Sequence, residues 1–283
     1  MEDDSVKILK IKQLIQSADC ILIGAGAGLS TSAGIEYSGE RFEDNFAEFI
    51  KKYGFSDMYS ATFYDFKSQE EKWAYFAKHI YVNNVGVGAT KLYEDILELA
   101  SKKEYFVITT NVDNQFEKAG FDRKKIFATQ GSYKMIQCEI ACHNKLYDDS
   151  ELVKNMIKNT DKELKIPTNL VPRCPVCGGN MEVNLRKDAY FVQDDNWYQQ
   201  DRNYSEFLDK NKDKKVLLLE LGVGFNTPGI IRFPFEQMAA QNENWNLARI
   251  NRENAATFVP NINNKSVLIE DDIKAVIDKL INW

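Results

Sequence analysis

Short apolar runs, separated by stretches in which apolar residues recur every third or fourth position, set the layout of this chain. Over 6–18, Ile8, Ile11, Ile15 and Ala18 share one face at helical spacing, which predicts an amphipathic helix. Residues 20–23 are apolar without a break, the pattern of a strand buried on both faces of a parallel sheet. Cys20 within that run reads as a small core residue, not a redox group. Similar runs at 104–110, 126–129, 216–221, 247–250 and 267–269 predict further strands. One helix is predicted after Asp113, ending near Ala119 and Gly120, and another over 271–281. The last opens on Glu270, Asp271 and Asp272, acids that the positive end of a helix dipole favours. Strands alternating with helices predict an α/β fold, a parallel sheet with helices on both faces.

Two stretches depart from this alternation. Over about 40–100, aromatic residues such as Phe42, Phe46, Phe49, Tyr53, Trp73 and Phe76 crowd among charges at helical spacing. They predict a helical insertion in which most rings face a core and a few line a pocket. Over 134–185 the chain carries two pairs of cysteines, with polar, Lys- and Asn-rich filler over 148–165. The predicted organisation is a sheet domain of 1–133 and 186–283, carrying the insertion, and a small module of 134–185.

Composition narrows the function classes. The chain has 283 residues, 44% of them hydrophobic and 12% aromatic, enough for a sizeable folded core. The net charge of −6 gives no support for nucleic-acid binding, which needs a basic stripe. No apolar run reaches the roughly eighteen residues that span a bilayer. The acidic N-terminus lacks the basic and apolar segments of a signal peptide, so a cytoplasmic protein is expected.

Two motifs carry chemistry. Gly24, Gly26 and Gly28 form a glycine-rich loop that follows the first strand and opens a helix, with Ser30 or Thr31 as its candidate cap. Backbone N–H groups in such a loop can cradle a pyrophosphate. Gly-x-Gly-x-x-Gly is not met, because Leu29 and Thr31 stand where the third glycine would fall, and no Lys-Ser/Thr makes it a P-loop. A branched side chain at Gly26 is predicted to weaken dinucleotide binding without unfolding the protein. The second motif is Cys138 and Cys142, then Cys174 and Cys177, with 31 residues between the pairs. This spacing predicts a closed structural Zn²⁺ site of zinc-ribbon type, with four thiolates preferred over His143 in place of one. Asn111 and Asp113 end a strand at the carboxyl edge of a parallel sheet, where ligands bind. Either could instead cap the next helix.

These motifs, in this order over 20–275, resemble the sirtuins. The family's Gly-Ala-Gly-x-Ser-x-x-Ser/Ala-Gly-Ile is matched from Gly26 to Ile35. Its Thr-Gln-Asn-Ile-Asp appears as Thr109-Thr110-Asn111-Val112-Asp113, and its His-Gly-Ser-Phe as Gln130-Gly131-Ser132-Tyr133. Its late Ile-Asn-x-Glu appears as Ile250-Asn251-Arg252-Glu253. The resemblance implies a Rossmann-like fold, NAD⁺ as cosubstrate and structural Zn²⁺. It implies cofactor contacts from Gly26, Ala27, Gly28, Ser30, Gly222, Gly224, Asn251 and Arg252, and reaction chemistry at Asn111, Asp113 and Gln130.

Three departures bear on activity. Gln130 stands where the family has its catalytic histidine, and glutamine cannot act as a general base, a role worth about 10²- to 10⁴-fold. The chain's two histidines, His79 in the helical insertion and His143 beside Cys142, offer no evident replacement. The Pro-Asp-Phe-Arg of deacylating sirtuins is replaced by Glu36-Tyr37-Ser38-Gly39. The later Gly-Thr-Ser is Gly222-Val223-Gly224, with Glu220 and Phe225 expected nearby on the adenosine side. In these respects the chain is similar to the macrodomain-linked sirtuins, class M, which act as protein ADP-ribosyltransferases. That resemblance implies transfer of ADP-ribose from NAD⁺ to a lipoylated carrier like the glycine-cleavage H protein, reversed by a macrodomain hydrolase. Weak NAD⁺-dependent lysine deacylation, or a non-catalytic sensor of NAD⁺ or ADP-ribose, are the alternatives.

Overall fold

The computed structural model of the chain describes residues 3–256 and 262–282. Its strands in chain order are β1 (Cys20–Ala25), β2 (Glu104–Thr109), β3 (Ile126–Ala128), β4 (Gly131–Cys138), β5 (Tyr147–Asp148), β6 (Met181–Leu185), β7 (Val216–Leu221), β8 (Trp245–Asn251) and β9 (Ser266–Glu270). The helices are α1 (Asp4–Ser17), α2 (Ala27–Ser32), α3 (Glu40–Tyr53), α4 (Met58–Ala61), α5 (Gln69–Ile80), α6 (Lys91–Ala100), α7 (Gln115–Lys118), α8 (Ser150–Asn159), α9 (Asp195–Asn211), α10 (Arg232–Gln241) and α11 (Ile273–Ile281). Six strands form one parallel sheet in the order β3-β2-β1-β7-β8-β9. The order reverses between β1 and β7, and in such sheets the crevice at the strands' carboxyl ends at that point receives ligands.

Burial on both faces explains the unbroken apolar runs. From β1, Ile21, Ile23 and Ala25 enter one core with α1, α6 and α11, while Cys20 and Leu22 enter the other with α9 and α10. β7 divides in the same way, with Leu217, Leu219 and Leu221 on the first face and Val216 and Leu218 on the second. The fold is thus the Rossmann-like α/β sheet that the strand pattern predicts, with helices on both faces.

A third core lies apart from the parallel sheet. It unites Phe42, Phe46 and Phe49 of α3 and Trp73, Tyr75 and Phe76 of α5 with Tyr133, Ile136, Val153, Met156 and Met181. The helical insertion and the cysteine-bearing stretch therefore bury their apolar faces against each other. β4 sits between β5 and β6 in a separate antiparallel sheet, and α8 packs on α5. The polar filler over 148–165 is corrected here. It contains α8, whose Val153 and Met156 are fully buried. α9 is likewise a helix that the apolar pattern leaves unassigned. It anchors through Trp197, Tyr204 and Phe207 on an otherwise polar sequence.

One buried charge cluster braces the sheet. Glu220 on β7 and Arg249 on β8 are register partners, and both are fully buried. Arg249 Nη2 donates to Glu220 Oε2 at 2.9 Å, and Nη1 donates to Glu236 of α10 at 2.8 Å. The carboxylate of Glu220 is thus engaged within the protein, although it was expected near the adenosine side. Removing one member of a buried ion cluster strands the others' charge at a cost of about 3–5 kcal/mol. Arg249→Met is expected to lose about that much unfolding free energy in a urea titration. A wild-type midpoint and slope would show that the cluster braces nothing.

Candidate functional site

The glycine loop is first of all a packing device. β1 ends at Ala25, Gly26 caps α2, and the chain turns across the end of β7. Gly26 N–H donates to Leu221 O at 3.0 Å and Gly28 N–H to Gly222 O at 2.9 Å. A Cβ on Gly26 would lie 2.7 Å from Gly222 O, and one on Gly28 would lie 2.8 Å from Gly222 Cα. Gly222, at φ +65°, would bring a Cβ within 2.3 Å of Leu29 N. Three glycines thus interlock at the point where the strand order reverses. Two N–H groups expected to face a phosphate are committed inside the protein. The expectation for Gly26 changes accordingly. Its Val variant collides with backbone, so it should lower the unfolding midpoint as well as ligand affinity. Measuring both checks this, and an unchanged midpoint would contradict it.

The expected cap is also corrected. α2 starts at Ala27, so Ser30 and Thr31 lie inside it and Gly26 holds the cap position. Thr31 Oγ1 donates back to Ala27 O at 3.2 Å. Ser30 reaches across to the segment after β2, donating to Asp113 Oδ2 at 2.5 Å, and its oxygen lies 3.2 Å from Tyr93 Oη.

A cavity of about 540 Å³ opens beside this network. Ala27, Ser30, Asn111, Asp113 and Gln130 all line it, so five of the expected site residues converge. Asn111 Nδ2 donates to Gly26 O at 3.0 Å and to Tyr93 Oη at 3.2 Å. Both amide protons are thereby committed, and the group left for the cavity is the carbonyl Oδ1. Asp113 is buried, and its Oδ1 accepts from Gln115 N–H at 3.0 Å while Oδ2 holds Ser30. Burial raises the pKa of its carboxyl, and the hydrogen bond from Ser30 opposes the rise. Asp113 therefore ties the start of α7 to the glycine loop while lining the cavity, so the capping alternative and the site reading share one carboxylate. Asn114, in the left-handed region at φ 58°, holds the N-cap position itself.

Gln130 lies half-buried just before β4, and its carbonyl accepts from Arg186 N–H at 3.0 Å. Arg186 also lines the cavity and stacks over the Phe191 ring at 4.9 Å. No motif in the sequence marks Arg186; only the pairing of β4 with β6 brings it beside Gln130. His79 is a second surprise. Fully buried on α5, it meets Tyr133 Oη through Nε2 at 2.8 Å and Tyr75 Oη through Nδ1 at 3.2 Å. Burial, reinforced by the charge of Arg41, pushes its pKa down to about 3, so the ring is neutral.

The other expected contacts do not line this cavity: Gly26, Gly28, Gly222, Gly224, Asn251 and Arg252 are not among its lining residues. Asn251 Nδ2 donates to Val223 O at 3.3 Å, and Arg252 pairs with Asp272 at 3.1 Å. Asn226 and Thr227 line the cavity instead.

The four cysteines converge at the far end of β4. Cys138 and Cys177 approach to 3.7 Å between sulfurs, Cys142 and Cys174 to 3.6 Å, and all four sulfurs lie within 4.8 Å of one another. A tetrahedron with Zn–S bonds of about 2.3 Å has edges near 3.8 Å, so the donor set fits Zn²⁺. His143 stands just outside, with Nδ1 3.2 Å from Cys142 Sγ and Nε2 2.9 Å from Tyr147 Oη. Four protein ligands leave no open position, so a bound metal here stabilises the small lobe and takes no part in a reaction. Metal analysis of the purified protein is expected to find one zinc per chain. Cys174→Ser should lose it and melt at lower temperature, since metal-binding energy in such modules is folding energy. Metal-free protein with wild-type stability would refute the site.

The Sir2 family model matches residues 26–213. A protein ADP-ribosyltransferase of Staphylococcus aureus is 36% identical over 279 residues, which are 98% of this chain and 88% of that protein. A Fusarium oxysporum protein described as a probable bifunctional ADP-ribose hydrolase/ADP-ribosyltransferase is 30% identical over 243 residues, 82% of this chain, and the chain spans 40% of its length. Among solved structures, a mutant Sir2 homologue in complex with ADP-ribose shares the fold at a TM-score of 0.60 and 15% identity, covering 99% of this chain and 95% of that one. With more than half of its length matched by the family model, and its strand order, glycine loop and cysteine cluster in place, this chain belongs to the Sir2 family.

Proposed function

We propose that the chain transfers ADP-ribose from NAD⁺ to a protein acceptor and releases nicotinamide. The observation that carries this reading is the composition of the cavity at the end of β2. It offers the fixed amide oxygen of Asn111, and Gln130 stands where a general base would be needed for deacylation. NAD⁺ supplies a glycosidic bond whose cleavage develops positive charge at C1′. A preoriented carbonyl oxygen stabilises such charge without having to reorganise. Gln130 positions ribose hydroxyls but takes no proton from them, which leaves the acceptor as the competing nucleophile. The name of the Staphylococcus aureus relative supports transfer over deacylation.

Several finer points belong to the same reading. Ala27 and Ser30 face the pyrophosphate side, with Gly222, Gly224, Asn251 and Arg252 toward the adenosine end. The lipoyl-carrier acceptor, resembling the glycine-cleavage H protein, is the first candidate substrate. A macrodomain hydrolase that removes the mark is in keeping with the bifunctional name of the Fusarium relative. We place the protein in the cytoplasm; among the described residues no helix is long and apolar enough to cross a membrane. The cysteine lobe and the helical insertion, which share one core, act as a unit that carries the Gln130 side of the cavity.

Asn111→Ala tests the reading directly. Loss of one preoriented electrostatic group typically costs about 10²- to 10³-fold in rate. The variant is expected to lose at least about 100-fold in transfer with zinc content unchanged, and the loss of its bonds to Gly26 O and Tyr93 Oη is expected to lower the melting temperature only modestly. Transfer to the acceptor at the wild-type rate would remove Asn111 from the reacting centre.

A further inference from the structure

A directed chain of hydrogen bonds runs from the buried core to the cavity. It begins at Tyr75, whose hydroxyl donates its single proton to Met58 O at 2.8 Å. The 3.2 Å contact between that hydroxyl and His79 Nδ1 must then be made by a proton on Nδ1. A neutral imidazole carries one proton, so Nε2 is an acceptor. Tyr133 consequently donates to Nε2 across 2.8 Å, and Tyr37 donates to Tyr133 across its own 2.8 Å contact. Tyr37 and Tyr133 both line the cavity. With its only proton committed inward, Tyr37 presents nothing but lone pairs to a bound molecule.

The position of Tyr37 is fixed as firmly as its polarity. Its carbonyl accepts from Met58 N–H at 2.8 Å, and the preceding carbonyl, Glu36 O, accepts from Arg41 at 2.6 Å. Arg41 also donates to Asn83 Oδ1 at 2.9 Å, so the segment is clamped to the helical turn that follows α5. Ile35, Phe76 and Val112 line the same cavity and give it apolar wall. On the same side both oxygens of Asp113 are already engaged by Ser30 and Gln115. Apolar walls with an oriented hydroxyl acceptor suit an aromatic primary amide, whose ring packs on the walls and whose N–H₂ donates.

We propose that Tyr37 is a specificity-determining residue that selects the dinucleotide carrying a nicotinamide over its counterpart carrying a nicotinic acid. This rests on the reading of the cavity as the NAD⁺ site. The carboxylate of the nicotinic-acid form has no proton to offer, so it sets lone pairs against lone pairs at Tyr37. The His79–Tyr133 chain makes the discrimination possible, because it stops Tyr37 from turning its proton outward to accommodate a carboxylate.

The test compares NAD⁺ with nicotinic acid adenine dinucleotide by calorimetry, on wild type and on Tyr37→Phe, with NAD⁺ consumption by wild type followed separately. Wild type is expected to bind NAD⁺ at least about 10-fold more tightly, and Tyr37→Phe to lose most of that ratio, mainly through weaker NAD⁺ binding. Tyr133→Phe, which frees the proton of Tyr37, is expected to narrow the ratio as well, through tighter binding of the acid form. If NAD⁺ binds but the ratio is the same in wild type and Tyr37→Phe, the inference fails, whatever becomes of the transferase reading. If NAD⁺ binds and the ratio moves as expected without any transfer, the selectivity stands and the transferase reading fails. If NAD⁺ does not bind, both fall.

Discussion

The structure depends on the interlock of Gly26 and Gly28 with Gly222. β1 and β7 are neighbours in the sheet, and their carboxyl ends are where the strand order reverses. Two backbone hydrogen bonds close the gap between them, and a Cβ on any of the three glycines would meet backbone inside 3 Å. Only because the loop is drawn down onto β7 does α2 begin at Ala27, and only then does Ser30 reach Asp113 on the β2 side. Asn111 donates to Gly26 O, so the amide oxygen left for the cavity is aimed by the same loop. The cavity is therefore built outward from a packing constraint.

Polar groups around the cavity are mostly doubly used. Asp113 holds Ser30 with one oxygen and the start of α7 with the other. Asn111 is fixed by a carbonyl and a tyrosine hydroxyl, and Tyr93 touches both Ser30 and Asn111. Such networks rigidify a site and leave a small number of groups free to meet a ligand. A fixed amide oxygen needs no reorganisation as charge develops, the condition under which electrostatic stabilisation is most effective. The cysteine cluster acts at a distance. It gathers at the end of β4 opposite Gly131, where a bound metal would pin the strand, and Gln130 immediately precedes that strand.

Much of this was legible in the residues, and what was not has physical reasons. The strands could be placed because strands buried on both faces demand unbroken apolar runs, and β7 matches its run from Val216 to Leu221. The cysteine spacing anticipated the convergence of four sulfurs. α8 carries Leu152, Val153, Met156 and Ile157 at helical spacing against the third core, but the Lys and Asn residues around them masked that short stripe. The role of the glycines in holding β7 was hidden too, since a requirement for close approach reads the same whether the partner is phosphate or protein. Arg186 and the His79–Tyr133–Tyr37 chain join residues 54 or more apart in sequence or across separate strands, and no local pattern announces such contacts. His79 looked irrelevant for that reason. Its effect on the cavity comes through Tyr133, a residue within the very motif that carries Gln130.

The central claim is that the cavity carries out transfer without a general base at Gln130. Mass spectrometry of the products formed from NAD⁺ tests it most directly, with a lipoylated carrier protein in one reaction and acetyl-lysine peptides in another. The account predicts free nicotinamide together with an acceptor protein heavier by one ADP-ribose, and acetyl peptides left intact. Robust formation of O-acetyl-ADP-ribose from the peptides, with the carrier unmodified, would contradict it.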